Sequence, residues 1–233
     1  MNDYNKPVWI KLVLLGIGLM INSAYADNAY ITGKVKIFDL DKQPLSNFAG
    51  VVVFLDGSTA NVPKQKPLST KESLPPQMSH KDKQFSPRVL PLKRGGKIDF
   101  HNDDNIFHNV FSLSKAKPFD LGIYPTGSSK IVSFERSGLV KIYCNIHPNM
   151  VSNILVLNND HFATSENDGT FTIKNIPIGK HTVRVWHEVE NITKEFEFTV
   201  AEGENNLPDI VINLTKKLIP HKNKFGKHYK SKY

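Results

Sequence analysis

The one cysteine of this 233-residue chain lies in Tyr143-Cys144-Asn145-Ile146-His147-Pro148-Asn149-Met150, a C-x2-H-x2-M spacing. A thiol, an imidazole and a thioether are thereby gathered on one short stretch. A second imidazole, His108, stands 36 residues upstream, just after the polar turn Asn102-Asp103-Asp104-Asn105. Thiolate and thioether favour Cu(I), while imidazole suits copper in both of its common oxidation states. Two imidazoles and a thiolate in trigonal array, with a weak axial thioether, form the donor set of blue-copper electron-transfer sites. Three donors this close in sequence leave no room for a regular helix or strand between them, so the loop must wrap around one point. Each residue alone has a plainer reading. A lone cysteine at a strand end is usually a small buried hydrophobe, Met150 would be core, and His108 an ordinary strand histidine. In conjunction they point to one copper ion held by His108, Cys144, His147 and Met150. Asn109, next to the first of these, is the natural candidate to brace the cysteine loop, because hydrogen bonds around a ligand sulfur tune the potential.

Other chemistries fail on residue count. A c-type haem needs C-x-x-C-H, and a structural zinc site wants more cysteines or a second histidine pair. A binuclear copper centre needs a second bridging cysteine, and a multicopper enzyme needs further clustered histidines. A Cys–His nucleophile leaves the methionine without a role. The expectation is therefore a metal-binding protein that is not an enzyme. His80, His101, His161, His181 and His187 show no ligand spacing with one another and read as surface or satisfied core residues. Met78 and His80 precede Phe85, where a place near copper is the alternative to that plainer reading.

The elements that must position these donors read as strands throughout. Ile31–Phe38 and Val51–Leu55 flank a turn-rich link, and polar, proline-containing Gly57–Gln77 reads as a linker. Strand patterns follow at Val89–Leu92, Lys97–Phe100, His108–Leu113, Lys130–Phe134, Leu139–Cys144 and Asn153–Leu157. Several of these alternate apolar and polar residues, as half-buried strands do. Alternation continues through Phe171, Ile173, Val183, Val185, Phe196, Phe198, Val200, Ile210 and Ile212. Short strands with regular turn signals predict an all-β protein built of sandwiches.

The ends carry separate messages. Lys6 and Lys11, the apolar run Leu12–Ile21 and the triplet Ala24-Tyr25-Ala26 make a secretory signal peptide over residues 1–26. The run is too short for the roughly 20 residues of a membrane span, and no transmembrane segment is expected in the mature chain. Net charge is +8, yet residues 27–214 balance acids and bases. The excess lies in residues 215–233, with seven lysines and no acid. Such a tail is expected to be disordered, suited to an acidic partner or a membrane surface and without influence on the metal site. Nothing in the chain resembles a nucleic-acid motif.

Residues from about Gln77 to Asn158 resemble a cupredoxin, specifically the small plastocyanin- and amicyanin-like proteins and the periplasmic methylamine-utilisation type. The residues that carry the likeness are Phe85-Ser86-Pro87, Gly95-Gly96, Phe100-x-Asn102, His108-Asn109, Gly138 and the Cys144–Met150 loop. The resemblance implies a Greek-key β-sandwich over 75–159 with one type 1 copper ion on His108, Cys144, His147 and Met150. The flanks resemble a carboxypeptidase regulatory-like (transthyretin-like) domain. Gly33-Lys34-Val35, Gln43-Pro44-Leu45 and Val51–Leu55 look like its first half. Asp168–Ile173 and Pro177-x-Gly179 through Val185 look like its second. A copper domain inserted into one discontinuous sandwich of residues 28–57 and 160–214 is the arrangement this implies; the alternative is a separate N-terminal hairpin packed on the copper domain. The expected function is transfer of single electrons between periplasmic redox partners, with copper delivery or buffering as the alternative, and a structural or interaction protein as a third.

Overall fold

The computed structural model describes residues 29–56, 74–217 and 221–228. The expected signal peptide, most of the Gly57–Gln77 linker and the end of the basic tail lie outside the described residues. Every regular element described is a β-strand, so the fold is all-β. Two strands open the chain, β1 (Tyr30–Phe38) and β2 (Val52–Leu55). Nine follow: β3 (Gln77–Lys81), β4 (Gln84–Ser86), β5 (Val89–Lys93), β6 (Lys97–Asn102), β7 (His108–Ser112), β8 (Phe119–Tyr124), β9 (Ser129–Ser133), β10 (Gly138–Tyr143) and β11 (Val151–Leu157). Six close it: β12 (Phe162–Thr164), β13 (Thr170–Ile173), β14 (Gly179–His187), β15 (Asn191–Val200), β16 (Glu204–Asn206) and β17 (Ile210–Asn213).

The middle nine strands form two sheets, β5-β11-β10-β7-β8 and β4-β3-β6-β9. Their facing sides share a core that includes Phe100, Phe134, Val140, Ile142, Cys144, Met150 and Ile154. The outer strands pair across the gap in sequence. β1 joins β13, β16 and β17, and β2 lies between β12 and β14, with β15 beyond. These two sheets enclose a second core running from Ala29, Ile31 and Val35 to Val183, Val200 and Ile212. The chain thus leaves one sandwich after β2, builds another, and returns to the first at β12.

Two apolar runs make that arrangement possible. In β2, Val53 and Leu55 face the outer core, whereas Val52 and Phe54 face the inserted strands. In β11, Ile154 and Val156 belong to the inserted core, whereas Leu155 and Leu157 point back. Strands buried on both faces read as continuous apolar runs rather than alternations, which is what VVFL and ILVL are. Trp186 and Val89 complete the seam between the sandwiches. Each such side chain contributes roughly 1.5–3 kcal/mol when fully buried. The seam therefore outweighs its flanking surface ion pair Lys93–Asp160 at 2.9 Å, since exposed pairs are worth about 0.2–1 kcal/mol; the partly buried Arg88–Glu188 pair at 2.7 Å reinforces it.

Glycine is required where strands approach closely. A Cβ on Gly33 would stand 2.6 Å from the Phe171 ring, and one on Gly169 would stand 2.1 Å from the Val35 carbonyl oxygen. Gly169 also has a φ of +87°, in the left-handed region that favours glycine.

Residues 160–214 alone are expected to remain unfolded. Without residues 29–56 the outer core loses Ala29, Ile31, Val35, Ile37, Val51, Val53 and Leu55, and β12, β13 and β14 lose a partner. A cooperative thermal transition with dispersed amide resonances from that fragment would contradict the shared core.

Candidate metal centre

β10 and β11 form a hairpin in which Tyr143 pairs with Val151, so Cys144–Met150 is its loop. The loop is closed by its own backbone: the Cys144 N–H donates to the Met150 carbonyl and the Met150 N–H to the His147 carbonyl, both at 3.2 Å. Tyr143 also pairs with Phe111 of β7, which brings the start of β7, and with it His108, alongside the loop.

The result is a cluster of three donors. The Cys144 Sγ lies 3.9 Å from His108 Nδ1 and 3.7 Å from His147 Nδ1, and all three donor atoms fall within 4.8 Å of one another. Metal–sulfur and metal–nitrogen bonds of about 2.3 and 2.0 Å at trigonal angles set sulfur and nitrogen about 3.7 Å apart. The spacing therefore fits one small, thiophilic transition-metal ion between the three atoms. His108 and Cys144 are fully buried, and His147 is half-buried. Met150 is fully buried in the same core as Cys144, on the return arm of the loop.

Each imidazole is prepared in its own way. His108 Nε2 lies 2.6 Å from Asp104 Oδ2. Donation of the Nε2 proton to that carboxylate leaves the Nδ1 lone pair for a metal, the usual carboxylate–histidine–metal arrangement. Burial opposes the charge on Asp104, but hydrogen bonds from the Lys83 N–H, from His108 and from the Asp82 N–H hold its carboxyl below the ordinary range. Those amides, at 3.0 and 2.8 Å, belong to the β3–β4 turn, where Asp82 and Lys83 both have positive φ. For His147, burial comes first, followed by repulsion from His108 and Lys83; together they pull its pKa below the usual value in spite of Asp104. A neutral ring is the form that binds a metal.

Asn109 braces the loop as its position suggests. Its Oδ1 accepts the Asn145 N–H at 3.3 Å, and its Nδ2 donates to Asp120 at 2.7 Å and to the Gly122 carbonyl at 3.0 Å. The Phe100-x-Asn102 motif serves the preceding turn: Asn102 Nδ2 donates to the carbonyls of Ile106 and Tyr124, and its Oδ1 accepts the Asp104 N–H.

One partner of the centre, Asp104, is not evident in the sequence, and a second, His80, is marked there only by its position before Phe85. Asp104 looks like one more polar turn residue until the fold sets it four residues before His108 on the same side. β3 is also unexpected, because its inward positions are Met78 and His80 rather than a plain apolar pair. His80 is fully buried with its ring edge-on to His108 at 5.7 Å between centroids, and burial, then His108, push its pKa down to about 3. It packs behind a ligand as a neutral ring, with the Tyr124 hydroxyl 3.3 Å away. His161, His181 and His187 lie on the outer sandwich, away from the cluster.

The expectation of a disordered tail does not describe its placed residues. Thr215 is held by Glu190, and residues 221–228 lie against the ligand loop. Averaged charge predicted repulsion; individual acceptors on β8 and the loop override it.

On the side of His147 opens a cleft of about 870 Å³ lined by Ile106, Phe107, Ile146, Pro148 and Val151, with Lys83 and Arg88 among its polar residues. Phe107 is 60% exposed and Ile146 40%.

No family model and no curated protein matches the chain. Among solved structures it is similar to a novel purple cupredoxin from Nitrosopumilus maritimus, at 27% identity over 35% of this chain and 98% of that one, with a TM-score of 0.32. It is also similar to a methionine-to-alanine mutant of amicyanin in the Cu(I) state, at 15% identity over 35% and 81%, with a TM-score of 0.34. A copper-containing nitrite reductase from Thermus scotoductus is similar at 24% identity over 45% of this chain and 27% of that one, with a TM-score of 0.37. TM-scores this low do not decide function; the geometry of the donors must.

Asp104→Ala removes the acceptor of His108 Nε2 and releases the Asp82 and Lys83 amides. Metal affinity, measured by competition with a chelator of known strength, is expected to fall about 10–100-fold. Unchanged affinity would mean that Asp104 does not orient the ring.

Proposed function

We propose that the chain is a copper protein that carries single electrons, with His108, Cys144, His147 and Met150 holding one type 1 ion. The observation that carries this reading is the buried Cys144 sulfur with two imidazole nitrogens at 3.7 and 3.9 Å, on a loop that ends in a buried methionine. Bound copper supplies one-electron chemistry between Cu(I) and Cu(II). The protein supplies a thiolate and a thioether suited to the lower state, and imidazoles suited to both.

The chain's own residues keep that donor set in place. Asp104 and Asn109 fix the orientation of the first histidine and of the cysteine loop, and the Cys144 N–H, donating to the Met150 carbonyl, ties the loop across its neck. A cage already closed by hydrogen bonds needs little rearrangement when charge changes, which favours fast transfer over catalysis on a bound substrate. His147 is the donor beside the cleft. Phe107, Ile146 and Pro148 around it give a small apolar patch for brief docking of a redox partner, since transient electron-transfer encounters bury little area. A basic leader with a short apolar run and an Ala-x-Ala triplet supports export to the periplasm.

The copper-loaded oxidised protein is expected to be intensely coloured from thiolate-to-copper charge transfer and to bleach on reduction. Cys144→Ser should abolish the band, and Met150→Leu should keep copper while shifting the potential. A visible band that survives Cys144→Ser would overturn the ligand assignment.

Electron self-exchange is expected to be fast, and Ile146→Asp should slow it while the band stays. Slow exchange in the unaltered protein, together with easy loss of Cu(I) to a moderate chelator, would favour copper delivery instead.

A further inference from the structure

We propose that Lys224, presented by the basic segment 221–228, is a positioning residue of the metal centre that locks the cysteine loop from behind. Four residues close a ring of hydrogen bonds. Asn109, which follows the ligand His108, accepts the N–H of Asn145, which follows the ligand Cys144, at 3.3 Å. Asn145 Oδ1 in turn accepts the Lys224 N–H at 3.0 Å. Lys224 Nζ reaches Asp120 Oδ2 at 2.7 Å, and Asp120 Oδ1 accepts Asn109 Nδ2 at 2.7 Å, which completes the circuit. Three of the four come from the inserted sandwich; the fourth arrives from the far end of the chain.

The segment is built to present that lysine. Asn223 Oδ1 accepts the N–H groups of Phe225 and Lys227, both at 3.0 Å, and the Asn223 N–H donates to the Lys227 carbonyl at 2.9 Å. Such a side-chain-to-backbone turn is the local structure that asparagine favours, and Gly226 takes its φ of +75°. His221 adds a second contact, its ring lying 4.6 Å from the Tyr143 ring at 33°. Tyr143 is the last residue of β10, immediately before Cys144. The segment thus touches the residues on both sides of the cysteine.

The Lys224–Asp120 pair is one-third exposed on both sides, so its own contribution to global stability is small. Its effect is on placement. Without Lys224, Asn145 Oδ1 and Asp120 Oδ2 each lose a donor, and the Asn145 turn is left to the Asn109 contact and the loop's own backbone hydrogen bonds. The same basic residues that look like a solvated appendage become part of the shell that orients the ligands, and partners of that kind typically change metal affinity by about 10–100-fold when removed.

The inference rests on the copper reading only for its metal readout, and a metal-free readout stands beside it. Full-length protein is compared with Lys224→Ala and with a chain ending at Lys217. In the metal-free state, hydrogen exchange at the Asn145 amide is expected to accelerate about tenfold in the shortened chain and less in Lys224→Ala, with the thermal transition nearly unchanged. With copper bound, loss to a chelator should accelerate in the same order, about tenfold in the shortened chain. A synthetic peptide of residues 218–233 added to the shortened chain should restore the protection. Exchange and copper loss both identical to the full-length protein in the shortened chain would overturn the proposal. Accelerated exchange in a protein that takes up no copper at all would sustain the lock and reject the copper reading.

Discussion

The centre depends on keeping one sulfur atom dry while two imidazole nitrogens approach it to within 4 Å. Left to itself, a short loop after a strand would splay into solvent. Here the Cys144 N–H donates to the Met150 carbonyl across the neck of the loop and the Met150 N–H donates to the His147 carbonyl inside it, and Cys144 and Met150 drop into the core of the inserted sandwich with Phe100 and Phe134. The two strands below it, β10 and β11, pair over six residues without a break, so the ends of the loop have little freedom. Geometry at the donor cluster is inherited from the register of that hairpin.

The rest of the molecule reinforces the same register. β11 runs parallel to β5, and the Ser152 hydroxyl donates to the carbonyls of Pro87 and Arg88 within two residues of the loop. Glu188, on the outer sandwich, reaches both Arg88 and Asn153. The second sandwich therefore does more than flank the first. Through the doubly buried strands β2 and β11 it holds the back of the hairpin, and through Glu188 it touches the first residues that follow the ligand loop. On the other side, Asp104 couples His108 to the β3–β4 turn that forms one wall of the cleft. Movement of that wall would be felt at a ligand ring.

What could be seen in the sequence divides along a physical line. The ligand loop was legible because its chemistry is local: three donors in seven residues need no knowledge of the fold. The split of the outer sandwich was read from short motifs, Gly33-Lys34-Val35 and Val51–Leu55 on one side and Asp168–Ile173 and Gly179 to Val185 on the other, whose strands β1 and β2 pair with β13 and β14. Asp104 was not legible, since it becomes a partner through a turn, and His80 stood out only by its place before Phe85, on a strand with almost no apolar alternation. The basic tail misled in the opposite direction. Its lysines repel on average, yet Asp120 and Asn145, which hold Lys224, lie 104 and 79 residues away, and no count of charge can find such pairings.

The central claim is that one copper ion sits between Cys144 and two histidines. Anomalous diffraction from crystals of the copper-loaded protein, collected on both sides of the copper absorption edge, tests it most directly. The account predicts a single strong copper peak within bonding distance of Cys144 Sγ, His108 Nδ1 and His147 Nδ1, with the Met150 sulfur at a longer distance. A peak elsewhere in the molecule, or a copper ion that leaves the Cys144 sulfur unbound, would contradict it.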